Sequence, residues 1–171
     1  MSAHPGGVRT AVVVGNPAPG SRTLAAALHV HGELVGADPD LVVDLAELGT
    51  RLLDFGDEEV TALVEQLGGA DLVVVASPTF KASITGVLKV FLDRFAQGTG
   101  LRGLAVPLML GAAPQHQLAV EYALRPVLTE IGAATTRGLY VLAERHDDPA
   151  AYRTWLDQVR PTLARTEGVP A

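Results

Sequence analysis

The fold of this chain is decided by the stretch AVVVGNPAPGSRT at residues 11–23, where an apolar run ends abruptly in a turn that contains two glycines. A second stretch, LVVVASPTFK at residues 72–81, has the same form. Unbroken apolar runs are typical of strands buried on both faces of a parallel sheet. Ligands bind to such sheets at the carboxyl ends of the strands, where the strand order reverses. The two turns therefore predict one ligand site shared by two neighbouring strands.

The rest of the chain continues the pattern of a strand followed by a helix. We predict strands at 9–15, 40–45, 71–76, 103–110 and 135–142, and helices at 21–36, 57–68, 83–96, 115–131 and 148–165. This alternation predicts an α/β fold, namely a flavodoxin-like three-layer sandwich whose five-stranded parallel sheet has the order 2-1-3-4-5. Pro107 falls inside the fourth strand, and because proline has no N–H group we expect a bulge or a late strand start there.

Composition limits the function classes. The chain has 171 residues, of which 48% are hydrophobic, and this predicts a single domain over residues 1–171. The formal net charge is −6 without a basic block, which argues against a nucleic-acid partner. Cysteine is absent, so disulfides, thiolate metal sites and cysteine nucleophiles are excluded. Neither a signal peptide at residues 1–10 nor a membrane-spanning run is apparent, so we expect a cytoplasmic protein without a membrane partner.

The first turn has the chemistry of a phosphate site. A helix that begins near Ser21 offers backbone N–H groups and the positive end of its dipole to an anion. The hydroxyl groups of Ser21 and Thr23 add donors, and Arg22 adds a cation. The alternative is an ordinary strand-to-helix loop in which Ser21 only caps the helix.

Three other phosphate-binding classes fit this turn less well. Gly15 and Gly20 have the spacing of a P-loop, but Ser21 stands where the lysine is required. The dinucleotide fingerprint G-x-G-x-x-G is absent from the turn. A phospho-accepting receiver domain needs a carboxylate at the end of the third strand, where this chain has Ser77 and Pro78.

The second turn is suited to a flat ring. Pro78 fixes the backbone, and the amides of Thr79, Phe80 and Lys81 can face the polar edge of a flavin. Phe80 can stack on the ring or line its pocket, and Lys81 can stabilise negative charge on the reduced ring. The alternative makes Phe80 a core residue and Lys81 a solvated charge. Together, the two turns predict a site for flavin mononucleotide (FMN).

The segment LGAAPQH at residues 110–116 follows the fourth strand and completes the predicted site. Small residues such as Gly111 let a flat ligand approach the backbone. His116 can contact flavin or nicotinamide, with helix capping or a surface position as the alternative. The chain shows no Ser-His-Asp set, carboxylate pair or metal-ligand cluster, so we predict neither a catalytic side chain nor a metal site. This suits a flavin enzyme, in which the cofactor performs the hydride transfer.

Three stretches resemble the NAD(P)H-dependent FMN reductases. They are ASPTFKASITGVLK at 76–89, HQLAVEYALRPVL at 116–128 together with VPL at 106–108, and the turn at 15–23. The similarity covers residues 10–142 and is greatest to the branch that supplies reduced flavin to alkanesulfonate monooxygenases. Lys81 favours that branch, because the wider family usually has asparagine there. Asn16 in place of serine, Phe80 in place of tyrosine and Ala112 in place of a second glycine depart from the family pattern.

The resemblance implies a flavodoxin-like fold, a homodimer or homotetramer, and reduction of FMN by NADPH or NADH. In that branch the flavin often binds and dissociates as a substrate, and the reduced flavin passes to a monooxygenase. Tyr122 matches a tyrosine near the subunit interface and the flavin site. The resemblance implies flavin contacts by residues of the three segments, and the sequence adds Asn16 and His116. The complete set of predicted flavin-binding residues is Asn16, Ser21, Arg22, Thr23, Pro78, Thr79, Phe80, Lys81, Gly111 and His116.

Other function classes remain open at this point. In one alternative, FMN stays tightly bound and the enzyme reduces quinones or azo dyes. In another, the protein is a flavodoxin-like electron carrier without nicotinamide activity, although its charge of −6 is modest for a carrier that docks through an acidic face. A partner-binding protein that keeps the fold without the chemistry is a further alternative.

Overall fold

The computed structural model describes residues 9–166, and residues 1–8 and 167–171 lie outside the described residues. Our expectation that the chain has no signal peptide falls partly on residues 1–8. The strands are β1 (Thr10–Val14), β2 (Leu41–Asp44), β3 (Leu72–Pro78), β4 (Leu104–Gly111), β5 (Ala134–Thr135) and β6 (Leu139–Leu142). The α-helices are α1 (Arg22–Val35), α2 (Glu58–Gly68), α3 (Gly86–Leu92), α4 (Arg125–Glu130) and α5 (Ala150–Thr166). No helix among these residues is long and apolar enough to cross a membrane.

The strands form one parallel sheet in the order β2-β1-β3-β4-β5, with β6 also paired to β4. This confirms the predicted flavodoxin-like strand order. The predicted count of five strands is wrong, because the strand expected at 135–142 is divided into β5 and β6.

Pro107 explains the division of the last strand. On one side, Pro107 is in register with Val75 of β3. On the other side, β4 pairs with β5 at residues 104–105 and with β6 at residues 108–111, so Val106 and Pro107 have no partner there. The missing N–H of Pro107 therefore interrupts no ladder at that edge. The expected bulge or late start is wrong, since β4 runs unbroken from Leu104 to Gly111.

Helices cover both faces of the sheet and bury two apolar clusters. On one face, Val13, Val75 and Met109 of the strands pack with buried residues of the α2, α3 and α4 region, such as Leu67, Phe91 and Leu128. On the other, Val12, Val74 and Leu108 pack with α1 and α5, which contribute Ala26, Val30, Tyr152 and Trp155. Alternate residues of each strand thus serve opposite faces, which is the three-layer sandwich that the apolar runs predict.

Two helices differ from the prediction. The third, expected over 83–96, begins at Gly86, where the side chain of Thr85 caps it, and ends at Leu92. The fourth, expected over 115–131, consists of a 3-10 turn at Pro114–His116, a π-helical turn at Val120–Leu124 and the short α4. Pro126 is the second residue after the π-helical turn and has no N–H to donate to the carbonyl group of Tyr122, so regular α-helical bonding is interrupted at this point.

Candidate functional site

The structure brings the predicted turns together at the carboxyl edge of the sheet. Strands β1, β3 and β4 are neighbours, so the segments that follow them leave the sheet side by side. The Gly15 amide donates to the Ala76 carbonyl oxygen at 2.8 Å, and the Thr79 amide donates to the Leu110 carbonyl oxygen at 2.6 Å. Two backbone hydrogen bonds therefore hold the starts of the first two segments against the adjoining strands.

The first segment leads into the open end of α1. Ser21 caps this helix, since its hydroxyl oxygen accepts from the Leu24 amide at 3.2 Å. The amides of Arg22 and Thr23 lie in the first turn of the helix, where no intrahelical carbonyl group can accept from them, and they donate no hydrogen bond among residues 9–166. Asn16 shapes the segment, because its side-chain amide donates to the Thr23 hydroxyl at 3.1 Å and its side-chain oxygen accepts from the Ala18 amide at 2.9 Å.

Asp44 holds this segment in place, and the sequence prediction missed it. It ends β2, it is 6% exposed, and its carboxylate accepts from the amides of Gly20 at 3.0 Å and Ala46 at 3.3 Å. The signal in the sequence is a single acidic residue that ends the apolar run at 41–43. Asp44 thus ties the segment after β1 to the end of β2.

The side chain of Arg22 lies toward another part of the same edge. Its guanidinium group donates to the carbonyl oxygen of Ala143, in the segment after β6, at 3.4 Å. Arg22 is exposed, and a bond of this length is weak. The cation is therefore held loosely near the start of α1.

The second segment is a tight hairpin turn. Phe80 and Ser83 exchange two backbone hydrogen bonds of 2.9 and 3.1 Å, and Lys81 and Ala82 between them have φ angles of 52° and 60°. Residues other than glycine pay about 1–2 kcal/mol each for this left-handed conformation. Phe80 is 53% exposed, so the alternative that places it in the core is wrong. The turn presents an aromatic ring and a cation to solvent beside the first segment.

The Thr79 hydroxyl is a buried polar atom that has no hydrogen-bond partner among residues 9–166. It lies between the end of β3 and the hairpin turn. Buried hydroxyl groups are normally hydrogen-bonded, and leaving one without a partner costs about 1–3 kcal/mol. The free amides at the start of α1 and this hydroxyl are therefore unused donors on adjacent segments, and they fit a ligand that carries an anionic group and a polar ring.

Tyr140 accounts for the glycine at the end of β4. A Cβ atom added to Gly111 would overlap the Tyr140 hydroxyl and lie 2.8 Å from its Cζ. The same hydroxyl donates to the Ala113 carbonyl oxygen at 2.7 Å, and burial raises the pKa of Tyr140. Gly111 is needed for this packing whether or not a ligand lies against it. Sequence reasoning missed Tyr140, which lies in the divided last strand.

His116 lies in the 3-10 turn after β4 and is half-buried. Its neighbours Pro114 and Gln117 line a groove of about 210 Å³ that is also lined by Tyr140 and Arg145. His116 is therefore near the same edge, but the structure places it on the β6 side of the hairpin turn.

A parallel sheet in the order β2-β1-β3-β4-β5, with loops that can bind a ligand at the carboxyl ends of β1, β3 and β4, defines the flavodoxin-like class of α/β proteins. Within that class, the family model described as NADPH-dependent FMN reductase matches residues 8–148. The chain belongs to this family.

Curated relatives and a solved structure agree with this assignment. The FMN reductase (NADPH) of Escherichia coli (strain K12) is 30% identical over 130 residues, which is 74% of this chain and 68% of that protein. The NADH-dependent FMN reductase SfnF of Pseudomonas putida is 30% identical over 140 residues, or 75% and 74% of the two chains. The apo form of the NADH:FMN oxidoreductase EMOB superposes with a TM-score of 0.79 at 26% identity and covers 90% of this chain and 88% of its own.

Proposed function

We propose that this carboxyl edge binds FMN, with the phosphate at the start of α1 and the ring on the hairpin turn after β3. The protein is an oxidoreductase that transfers hydride from NADPH or NADH to FMN, as its family membership and curated relatives support. The observation that carries the assignment of the site is that the free amides of Arg22 and Thr23 and the unpartnered hydroxyl of Thr79 lie on adjacent segments.

The phosphate half of the proposed site uses short-range donors. The amides of Arg22 and Thr23 point out of the helix start, and the hydroxyl groups of Ser21 and Thr23 can donate while they accept their present bonds. Asn16 holds Thr23 in place. The Arg22 guanidinium can leave its long bond to Ala143 at little cost and pair with the phosphate.

The ring half uses the hairpin turn and its neighbours. Pro78 and Phe80 give apolar walls, and the Thr79 hydroxyl and the amide of Lys81 are donors for the polar edge of the ring. The ammonium group of Lys81 stabilises negative charge on the reduced ring. Gly111 and His116 border the site on the β4 side. When bound, FMN supplies the hydride-accepting chemistry, and the chain binds and orients the two nucleotides.

The purified protein tests this function directly. We expect NADPH oxidation that depends on added FMN, measured after the visible spectrum of the protein is recorded. Arg22→Ala should weaken FMN binding about tenfold, since a charge-assisted hydrogen bond to phosphate is lost. Arg102→Ala is the matched control, because Arg102 is also exposed but lies before β4, at the amino ends of the strands. Equal FMN affinity in both variants would contradict the phosphate assignment.

We propose that FMN exchanges as a substrate, that reduced flavin passes to a monooxygenase, and that copies of the chain assemble through the π-helical region. That region exposes large apolar side chains, since Tyr122 is 77% and Leu118 is 54% exposed. Protein that purifies yellow and turns over only with an added acceptor would favour a quinone- or azo-type reductase. Flavin binding without NADPH oxidation would favour an electron carrier.

A single domain over residues 1–171 and a cytoplasmic location belong to the same proposal. The shared sheet between the two apolar clusters supports the first. The second is consistent with a reaction that consumes two nucleotides of the cell interior.

A further inference from the structure

Thr85 occupies the junction between the two halves of the proposed site. It is 2% exposed, and it immediately precedes α3. Its hydroxyl donates to the carbonyl oxygen of Gly15 at 2.5 Å and accepts from the Leu88 amide at 3.1 Å. Its own amide donates to the Ser77 hydroxyl oxygen at 3.2 Å. One buried residue therefore bonds to the end of β1, the end of β3 and the first turn of α3.

The partners of Thr85 are the residues from which the two ligand segments start. Gly15 is the first residue of the segment that leads to α1, and Ser77 precedes Pro78 and the hairpin turn. These segments are far apart in sequence, since Gly15 and Thr85 are separated by 70 positions. Ser77 is completely buried, and its hydroxyl in turn donates to the Pro78 carbonyl oxygen at 2.8 Å. The chain of bonds thus runs from Gly15 through Thr85 and Ser77 to Pro78.

A ligand that binds to both segments gains affinity when their spacing is fixed in advance, because the second contact then costs little additional ordering. FMN has its phosphate at one end and its ring at the other. Riboflavin is the same molecule without the phosphate and uses the ring segment alone. The spacing of the segments therefore matters for FMN and not for riboflavin.

We propose that Thr85 is a positioning residue that couples the phosphate and ring halves of the flavin site, and so sets the preference for FMN over riboflavin. The proposal rests on the proposed function. Thr85 itself is buried behind the two segments and acts through Gly15 and Ser77.

Thr85→Val tests the coupling, because valine keeps the shape of the side chain and loses the hydroxyl. We expect the dissociation constant for FMN, measured by quenching of flavin fluorescence, to rise about tenfold, because the spacing of the two segments must then be ordered when FMN binds. The constant for riboflavin should change less than about twofold, because a single segment suffices for its binding. The KM for FMN should rise with little change in kcat. Thr85→Ser keeps the hydroxyl and should restore the wild-type preference.

Two further variants complete the experiment. Thr129→Val removes a hydroxyl that donates to the Arg125 carbonyl oxygen in α4, and it should leave both constants unchanged. Ser77→Ala removes the other end of the bond to Thr85 and should lower the preference for FMN in the same direction, which keeps the test valid if Thr85→Val does not fold. A ratio of the two constants that stays at the wild-type value in both Thr85→Val and Ser77→Ala would overturn the proposal. Wild-type protein that fails to bind FMN would instead overturn the proposed function.

Discussion

Gly15 is the position where a single methyl group should disturb the site most. A Cβ atom added there would overlap the Cβ of Leu88 and lie 3.0 Å from its Cγ and 3.1 Å from its Cα. The Cα and Cβ atoms cannot be moved by a change of rotamer, so α3 itself must shift. Such a shift also stretches the 2.5 Å hydrogen bond from Thr85 to the Gly15 carbonyl oxygen.

The magnitude follows from these two effects. Overpacking of a well-packed core costs about 1–3 kcal/mol, and a weakened buried hydrogen bond adds about 1 kcal/mol. We therefore expect Gly15→Ala to lower the free energy of unfolding by about 2–4 kcal/mol, with a lower urea midpoint and an unchanged slope. FMN affinity should fall as well, because the segment before α1 moves with Gly15.

Gly32→Ala is the matched control for this experiment. Gly32 lies inside α1 and an added Cβ would meet no atom within 4 Å. Alanine is a better helix former than glycine by about 1 kcal/mol, so this variant should be more stable than the wild type. The same substitution thus has opposite signs at the two positions. A Gly15→Ala protein as stable as the wild type within about 0.5 kcal/mol would refute the close packing of α3 on β1.

The remaining predictions concern stability. His31 is fully buried, and desolvation lowers its pKa below 6.5, against the opposing effects of a hydrogen bond to the Ala37 backbone and of the charges of Asp40 and Asp38. Because the unfolded chain then binds more protons, the free energy of unfolding should fall as pH drops below about 6.5 and stay level above that pH. His31→Leu should reduce this pH dependence in urea titrations at several pH values. An unchanged pH profile in the variant would contradict the role of His31. Ala82→Gly removes the strain of a side chain at a left-handed φ angle and should raise the free energy of unfolding by about 0.5–1 kcal/mol. Destabilisation in the same urea assay would argue against the hairpin geometry.

The fold and the adjacency of the two turns can be predicted from the sequence because both depend on local patterns. The unbroken apolar runs predict buried parallel strands, and the glycine-containing turn before Ser21 and the turn at Pro78 mark their carboxyl ends. The strand order and the adjacency of the two turns follow from these patterns. The structure places the predicted residues in these turns, and their contacts with FMN stay a prediction.

The features that were missed depend on tertiary partners. The expectation of a bulge at Pro107 is made without knowledge of its neighbours in the sheet. The structure places the missing N–H of Pro107 beside a gap between β5 and β6. Gly111 was attributed to the approach of a ligand, and Tyr140 supplies a packing reason that appears only when the strands are in register. The roles of Asp44 and Thr85 come from hydrogen bonds to residues that are distant in sequence, and such bonds cannot be read from the stretches in which the two residues lie.

The central claim is tested most directly by a crystal structure of the protein with FMN bound. The account predicts phosphate oxygens within about 3 Å of the amides of Arg22 and Thr23, and the flavin ring against the hairpin turn with its polar edge near the Thr79 hydroxyl. A phosphate bound elsewhere, or a ring that does not touch residues 78–81, would contradict the account even if the protein reduces FMN.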